Sequence, residues 1–136
     1  MSTRDRWTAY DFAILRAVPH VHLGVFTPVG VVLHARTAEF LGMRALTDPA
    51  ELQSRVPGVD AEMLSRYLRA AQAICAGEPS AGLVALDPPS ERFHWLTAPR
   101  SDVLQASAVH EGLCDDPTSK LDELFATYVG VGVDAR

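Results

Sequence analysis

The sequence predicts an α+β domain, in which an antiparallel sheet of three to five strands carries two main helices and a short third helix. Three segments in the first third of the chain have the residue pattern of strands. Two later segments carry an apolar stripe at helical spacing behind an aspartate that can cap a helix. The 136 residues suffice for one hydrophobic core. We therefore expect a single domain over 1–136, ordered from about 8 to 130 and followed by a loose C-terminal tail.

The three predicted strands are rich in β-branched and aromatic residues. Residues 10–18 are apolar on both alternating faces, which is typical of a central strand covered on both sides, and Pro19 ends this strand. Residues 29–35 and 39–45 follow, and the short connection between them predicts a hairpin. We expect the helices to lie mostly on one face of the sheet.

The two main helices are predicted from their caps and their apolar stripes. Asp60 caps the first, which ends at Gly77, and Asp116 with Pro117 begins the second, which ends at Gly130. The predicted buried stripes are Leu64, Tyr67, Leu68, Ala71, Ile74 and Cys75 in the first helix and Leu121, Leu124, Phe125 and Tyr128 in the second.

The remaining segments give weaker signals. Asp48 followed by Pro49 predicts the short third helix, which stops before Pro57. Residues 83–86 suggest a short buried strand. Residues 90–116 contain Pro99 and Gly112, which predicts that much of this stretch is loop. Alternation within 93–97 favours a strand and the preceding prolines favour a helix, so both stay open for 90–104.

Composition and charge exclude several classes of function. The net charge of −5 argues against nucleic-acid binding and against binding to anionic membranes. No apolar run approaches the ~20 residues that a bilayer-spanning helix needs, and from the charged residues 1–7 we expect no secretion signal. The two cysteines form no C-x-x-C pair, so reduced thiols in a cytoplasmic protein are expected. We expect no cofactor.

The stretch 90–116 holds most of the chemically capable side chains. Arg92, Arg100 and Ser101 could bind a small anionic ligand, because guanidinium groups grip carboxylate or phosphate bidentately. The alternative is that they pair with nearby aspartates and hold the loop closed. His94 and Trp95 complete this candidate ligand or partner surface, although a tryptophan is more often part of a core.

Histidines supply two further hypotheses. His110 with Glu111 or Asp115 could form an acid–base pair, although a surface histidine in a loop is the commoner case. His20 and His22 could bind zinc together with His34 or His94. No spacing fixes a third ligand, so we expect no metal site.

Three runs of the sequence resemble a bacterial family, the domain of unknown function 3037. They are residues 26–32 (FTPVGVV), 91–101 (ERFHWLTAPRS) and 109–117 (VHEGLCDDP). The resemblance covers nearly the whole chain and brings no catalytic residues with it. It implies a neighbour, because such proteins are often encoded beside a kinase similar to the HipA toxins.

Two functions follow as expectations. The first is a non-enzymatic accessory or regulatory partner of a HipA-like kinase. The alternative is a small enzyme or ligand-binding module that acts on a phosphorylated or carboxylated small molecule. Whether the protein is an enzyme is left open, and a homo-oligomer is compatible with either function.

Overall fold

The computed structural model describes residues 7–19, 25–99 and 103–130, and it confirms the α+β prediction. The five strands are β1 Thr8–Ala17, β2 Thr27–Ala35, β3 Phe40–Ala45, β4 Leu104–Ala106 and β5 His110–Cys114. The four helices are α1 Pro49–Arg55, α2 Ala61–Cys75, α3 Pro89–Thr97 and α4 Pro117–Tyr128. None of these helices has the length and apolar content needed to cross a bilayer. The predicted loose tail, 131–136, lies outside the described residues.

The sheet is antiparallel and β1 lies at its centre. Its order is β3-β2-β1-β4, and β5 pairs with β1 as well. Consecutive residues of β1, from Phe12 to Leu15, are all buried, which confirms that this strand is covered on both sides. The predicted hairpin is also present. β2 and β3 pair antiparallel across the 3₁₀ turn Arg36–Ala38, and Glu39 closes the turn with a φ of 53°.

The edge of the sheet beside β1 is made by β4 and β5 in succession. Leu15 pairs with Ala106 of β4, and Phe12 pairs with His110 of β5. The edge therefore has one more residue between Ala106 and His110 than β1 has between Leu15 and Phe12. Ser107 fills the interruption, because its hydroxyl accepts from the amide of Ile14 at 2.9 Å while its own amide donates to the Ile14 carbonyl. This arrangement is a β-bulge, and it reverses which residues of the edge face each side of the sheet.

The helices are divided between the two faces of the sheet. Phe93 of α3 stacks on His34, and α3 packs with α2 on this face. The opposite face carries α4. Leu121 of this helix packs so close to Gly42 of β3 that a side-chain carbon at position 42 would lie 3.0 Å from Leu121 Cδ2. Arg44 fixes α4 by an ion pair with Asp122 at 3.0 Å. The prediction that the helices lie mostly on one face therefore holds for α2 and α3 and is wrong for α4.

The predicted helix caps are confirmed. The carboxylate of Asp60 accepts from the amide of Met63 at 3.1 Å, and Asp48 and Asp116 cap α1 and α4 through residues two positions further on. These bonds satisfy amides that have no partner within the first helical turn. The two tyrosines of the predicted stripes are an exception, because Tyr67 and Tyr128 are 42% and 47% exposed.

Two expectations about local structure were wrong. Residues 83–86 form a 3₁₀ helix, Leu83–Leu86, in which only Ala85 is buried. Most of the described part of 90–116 is regular structure, namely α3, β4 and β5. The helix reading of 93–97 is the correct one: the prolines set the first turn, and Phe93 and Leu96 face the core three residues apart.

Candidate functional site

A cleft of about 840 Å³ opens between α3, the first half of β1 and strand β5. We call it the α3 cleft. It lies on the α2–α3 face of the sheet. Its polar lining comes from β1, β2, β5, α3 and the turn after β2, and consists of Tyr10, Asp11, His34, Arg36, Thr37, Ser90, His94, Thr97 and Glu111.

Three of these residues form a row across the sheet. Asp11 is the register partner of His34 on β2 and of Glu111 on β5. Directly paired residues point to the same face and have Cβ atoms about 4.5–5.5 Å apart. The strand pairing therefore brings an imidazole and two carboxylates side by side on the floor of the α3 cleft.

His34 is the most enclosed member of the row. Its side chain is only 6% exposed, and its ring stacks on Phe93 with the centroids 5.4 Å apart and 29° between the planes. Burial lowers the pKa of His34, and Arg36 lowers it further, whereas the Asp11 carboxylate opposes the shift. The imidazole is consequently neutral near pH 7 and can both donate and accept a hydrogen bond.

Helix α3 supplies the wall of the cleft because its residues repeat at helical spacing. Ser90, Phe93, His94 and Thr97 are three, four and seven positions apart and line one side. The hydroxyl of Thr97 donates to the Phe93 carbonyl at 2.9 Å, which fixes it against the helix. His94 is exposed to solvent, in contrast to His34.

The charges around the cleft are unbalanced. Among the described residues that line it, Arg36 is the single arginine or lysine, and the same lining includes the two carboxylates of Asp11 and Glu111. No salt bridge within 7–19, 25–99 and 103–130 ends on either carboxylate. One guanidinium against two carboxylates leaves the arginine and carboxylates of the lining with one net negative charge.

Of the predicted ligand or partner residues, the structure places His94 in the α3 cleft. The described ranges do not include Arg100 and Ser101. Arg92 points away from the cleft: its guanidinium donates to the carbonyls of Asp87 at 2.6 Å and Cys75 at 3.4 Å. This contact ties α3 to the end of α2, so Arg92 has a structural role.

His110 and Trp95 also lie outside the lining of the cleft. Neighbours in a strand point to opposite faces, so His110 and Glu111 are directed apart. The His110 ring lies 5.4 Å from that of Phe12, on the α4 face. Trp95 is 38% exposed on α3. The stretch 90–116 thus divides its predicted residues between several surfaces.

Sequence reasoning missed Asp11 and Arg36 as residues of a site. Asp11 carried a signal, because it is a charged residue inside a strand that is otherwise apolar and buried. Arg36 carried none, since a polar residue in a hairpin connection is usual.

The metal hypothesis finds no support in the described residues. They contain no group of three or more His, Cys, Asp or Glu side chains that could hold a metal ion. His20 and His22 fall in the segment 20–24, outside the described ranges, so the hypothesis built on them is not tested.

Comparison with known families now places the chain. The model of a protein family of unknown function, DUF3037, matches residues 12–129. The chain belongs to the DUF3037 family. No curated protein and no solved structure matches it significantly. The matched span of DUF3037 includes His34, Arg36, His94 and Glu111, and it begins one residue after Asp11.

Proposed function

We propose that this DUF3037 protein is a small ligand-binding module or enzyme that takes a phosphorylated or carboxylated small molecule into the α3 cleft. The observation that carries the proposal is the enclosed imidazole of His34 beside Arg36 in an open cleft of about 840 Å³. Clefts of this size with a few convergent polar groups are the usual sites of small molecules.

The roles of the side chains follow from their chemistry. Arg36 offers a planar fork of donors that matches a carboxylate or a phosphate. His34, whose pKa burial lowers, is neutral and offers one donor and one acceptor nitrogen. If the ligand is a substrate, His34 is the group suited to accept a proton, and Asp11 beside it stabilises the resulting imidazolium.

Ligand-induced stabilisation tests this proposal. Phosphorylated and carboxylated metabolites are screened at millimolar concentration for an increase in melting temperature, because a ligand present at 100 times its dissociation constant stabilises the folded state by about 2.7 kcal/mol. Arg36→Gln should abolish the increase. Arg66→Gln, on the exposed side of α2, is the matched control and should retain it. If no compound raises the melting temperature, the ligand-site proposal fails.

A second function, partnership with a HipA-like kinase, is favoured by a different observation. Leu83 and Leu86 are 84% and 62% exposed on the 3₁₀ helix Leu83–Leu86, which packs beside α3. Trp95 on α3 adds a half-buried aromatic ring. Exposed apolar side chains mark interaction surfaces, and tryptophan is among the residues that most often dominate the binding energy of an interface.

Co-purification with a HipA-like kinase tests this second function. The double variant Leu83→Ser/Leu86→Ser should weaken the complex without unfolding the protein, because both side chains are solvent-exposed. Leu113→Ser on β5 is the control, since Leu113 is 63% exposed on another element. If the wild-type proteins do not associate at micromolar concentration, the partner proposal is wrong.

A further inference from the structure

The two carboxylates on the floor of the α3 cleft are not explained by an anionic ligand. We call Asp11 and Glu111 the carboxylate pair. They are direct cross-strand partners, and like charges in that position destabilise a sheet. An anion that entered the cleft to reach Arg36 would also meet this pair. Recognition of a carboxylate or phosphate alone would not require it.

We propose that the ligand of the α3 cleft is a zwitterion, with an ammonium group bound by Asp11 and Glu111 and its carboxylate or phosphate bound by Arg36. The inference rests on the proposed function, whose ligand class it narrows. An ammonium group has three donors and matches two adjacent carboxylates. The pair and the guanidinium line one continuous cleft, so a single molecule can contact both.

His34 is the independent observation that points to a ligand between these charges. Only 6% of this residue is exposed to solvent, and it lines the cleft. No hydrogen bond formed within the described ranges ends on its imidazole, and its ring nitrogens are not among the buried atoms that lack a partner, so they face the open space of the cleft. A polar ligand over the row can therefore hydrogen-bond to this imidazole in place of solvent.

The charges expected at neutral pH agree with this class of ligand. The lining holds two carboxylates, one guanidinium and a His34 that is neutral because burial lowers its pKa. A purely anionic molecule would bind beside a net negative charge, and a purely cationic molecule would leave Arg36 unpaired. A zwitterion is complementary to both ends of the cleft.

Two matched sets of probes test the inference by NMR titration of the full chain. The first set is phosphoethanolamine, ethyl phosphate and ethanolamine, and the second is β-alanine, propionate and propylamine. We expect the two zwitterions to shift the amide signals of Asp11, His34 and Glu111. Each probe that carries charge of only one sign should bind about tenfold or more weakly, because the contact with the opposite charge in the cleft is lost.

Variants of the carboxylate pair separate this inference from the proposed function. In Glu111→Gln the zwitterions should lose their advantage over ethyl phosphate and propionate, while Glu78→Gln should behave like the wild type. Glu78 is an exposed glutamate whose side chain forms no capping hydrogen bond with the 3₁₀ helix Pro79–Ala81 that follows it. Circular dichroism confirms that both variants are folded.

The outcomes distinguish the two proposals. Equal binding of zwitterions and simple anions to the wild type would overturn the zwitterion inference and leave the anion-binding proposal intact. Binding of the amines alone, with no contribution from phosphate or carboxylate, would overturn both. The absence of binding by every probe would also overturn both.

Discussion

Neighbouring residues of strand β1 point to opposite faces of the sheet, and the two faces differ in packing and polarity. On the α4 face, Phe12 is surrounded by rings, with Tyr10, His110 and Tyr128 at centroid distances of 6.0, 5.4 and 5.9 Å. On the other face, Asp11 lies between His34 and Glu111 in an open cleft. Residues adjacent in sequence therefore serve a packed core and a polar site.

The difference between the faces shows where a small domain can place charged side chains that do not contribute to the stability of its fold. The α4 face is closed by apolar contacts and by the Arg44–Asp122 ion pair. The α3 face is closed only over part of the sheet, because α3 is nine residues long and leaves the end of β1 beside β5 uncovered. Packing on one face supplies the stability that permits charges on the other.

The largest difference between the faces should appear when adjacent residues of β1 are changed. Phe12→Ala removes a buried ring from the α4 face and should lower the free energy of unfolding by about 3–5 kcal/mol, through lost burial and a residual cavity. Asp11→Asn, one position away, should not destabilise the fold. Urea unfolding of both variants measures this. Equal losses would show that the α3 face is as tightly packed as the α4 face.

A second variant asks whether α3 is similarly divided between a structural side and a cleft side. Arg92→Met removes two charge-assisted hydrogen bonds to backbone carbonyls and should lower the free energy of unfolding by about 1.5–3 kcal/mol. Ligand binding in the α3 cleft should be retained. Arg66→Met is the control on an exposed position of α2 and should change little. Loss of binding in a folded Arg92→Met protein would assign Arg92 to the site instead.

The charged row should respond in the opposite direction from the core. Glu111→Gln relieves like-charge repulsion with Asp11 and should raise the free energy of unfolding by about 0.2–1 kcal/mol. Glu78→Gln removes the same charge elsewhere and controls for the net charge of −5. Thermal unfolding at low salt compares the two. A destabilised Glu111→Gln protein would mean that the carboxylate forms a stabilising contact.

The smallest expected effect is a pH dependence at His34. Because burial lowers the pKa of His34 in the folded state, the unfolded chain binds a proton first as the pH falls through 6.5. The stability is therefore complete above this pH and decreases below it. Unfolding is measured at about pH 7.5 and about pH 5.5, on either side of the usual histidine pKa. His34→Gln should reduce the difference, and an unchanged difference in this variant would assign the pH dependence to other groups.

Features that depend on local chemistry could be predicted from the sequence. The aspartate caps at positions 48, 60 and 116 follow from the orphan amides of the helix ends, and the apolar strand 10–18 follows from its own composition. The α+β class follows from these elements.

The site could not be predicted in the same way, because it depends on contacts between distant segments. Asp11, His34 and Glu111 become neighbours only through strand register, and no residue in β5 specifies that register locally. The role of Arg92 was equally hidden, since its acceptors are main-chain carbonyls, which every residue possesses.

The extra residue between β4 and β5 determines which chemistry the cleft contains. Counting back from the Leu15–Ala106 pair without the bulge would place His110 opposite Asp11, and Glu111 would move to the α4 face. The one-residue change of register between β4 and β5 therefore decides which side chains of β5 face the cleft. Closing the ladder over 107–109 with every residue kept would replace the acidic floor by an Asp–His pair, whereas deleting one residue there would remove the bulge and leave Glu111 opposite Asp11.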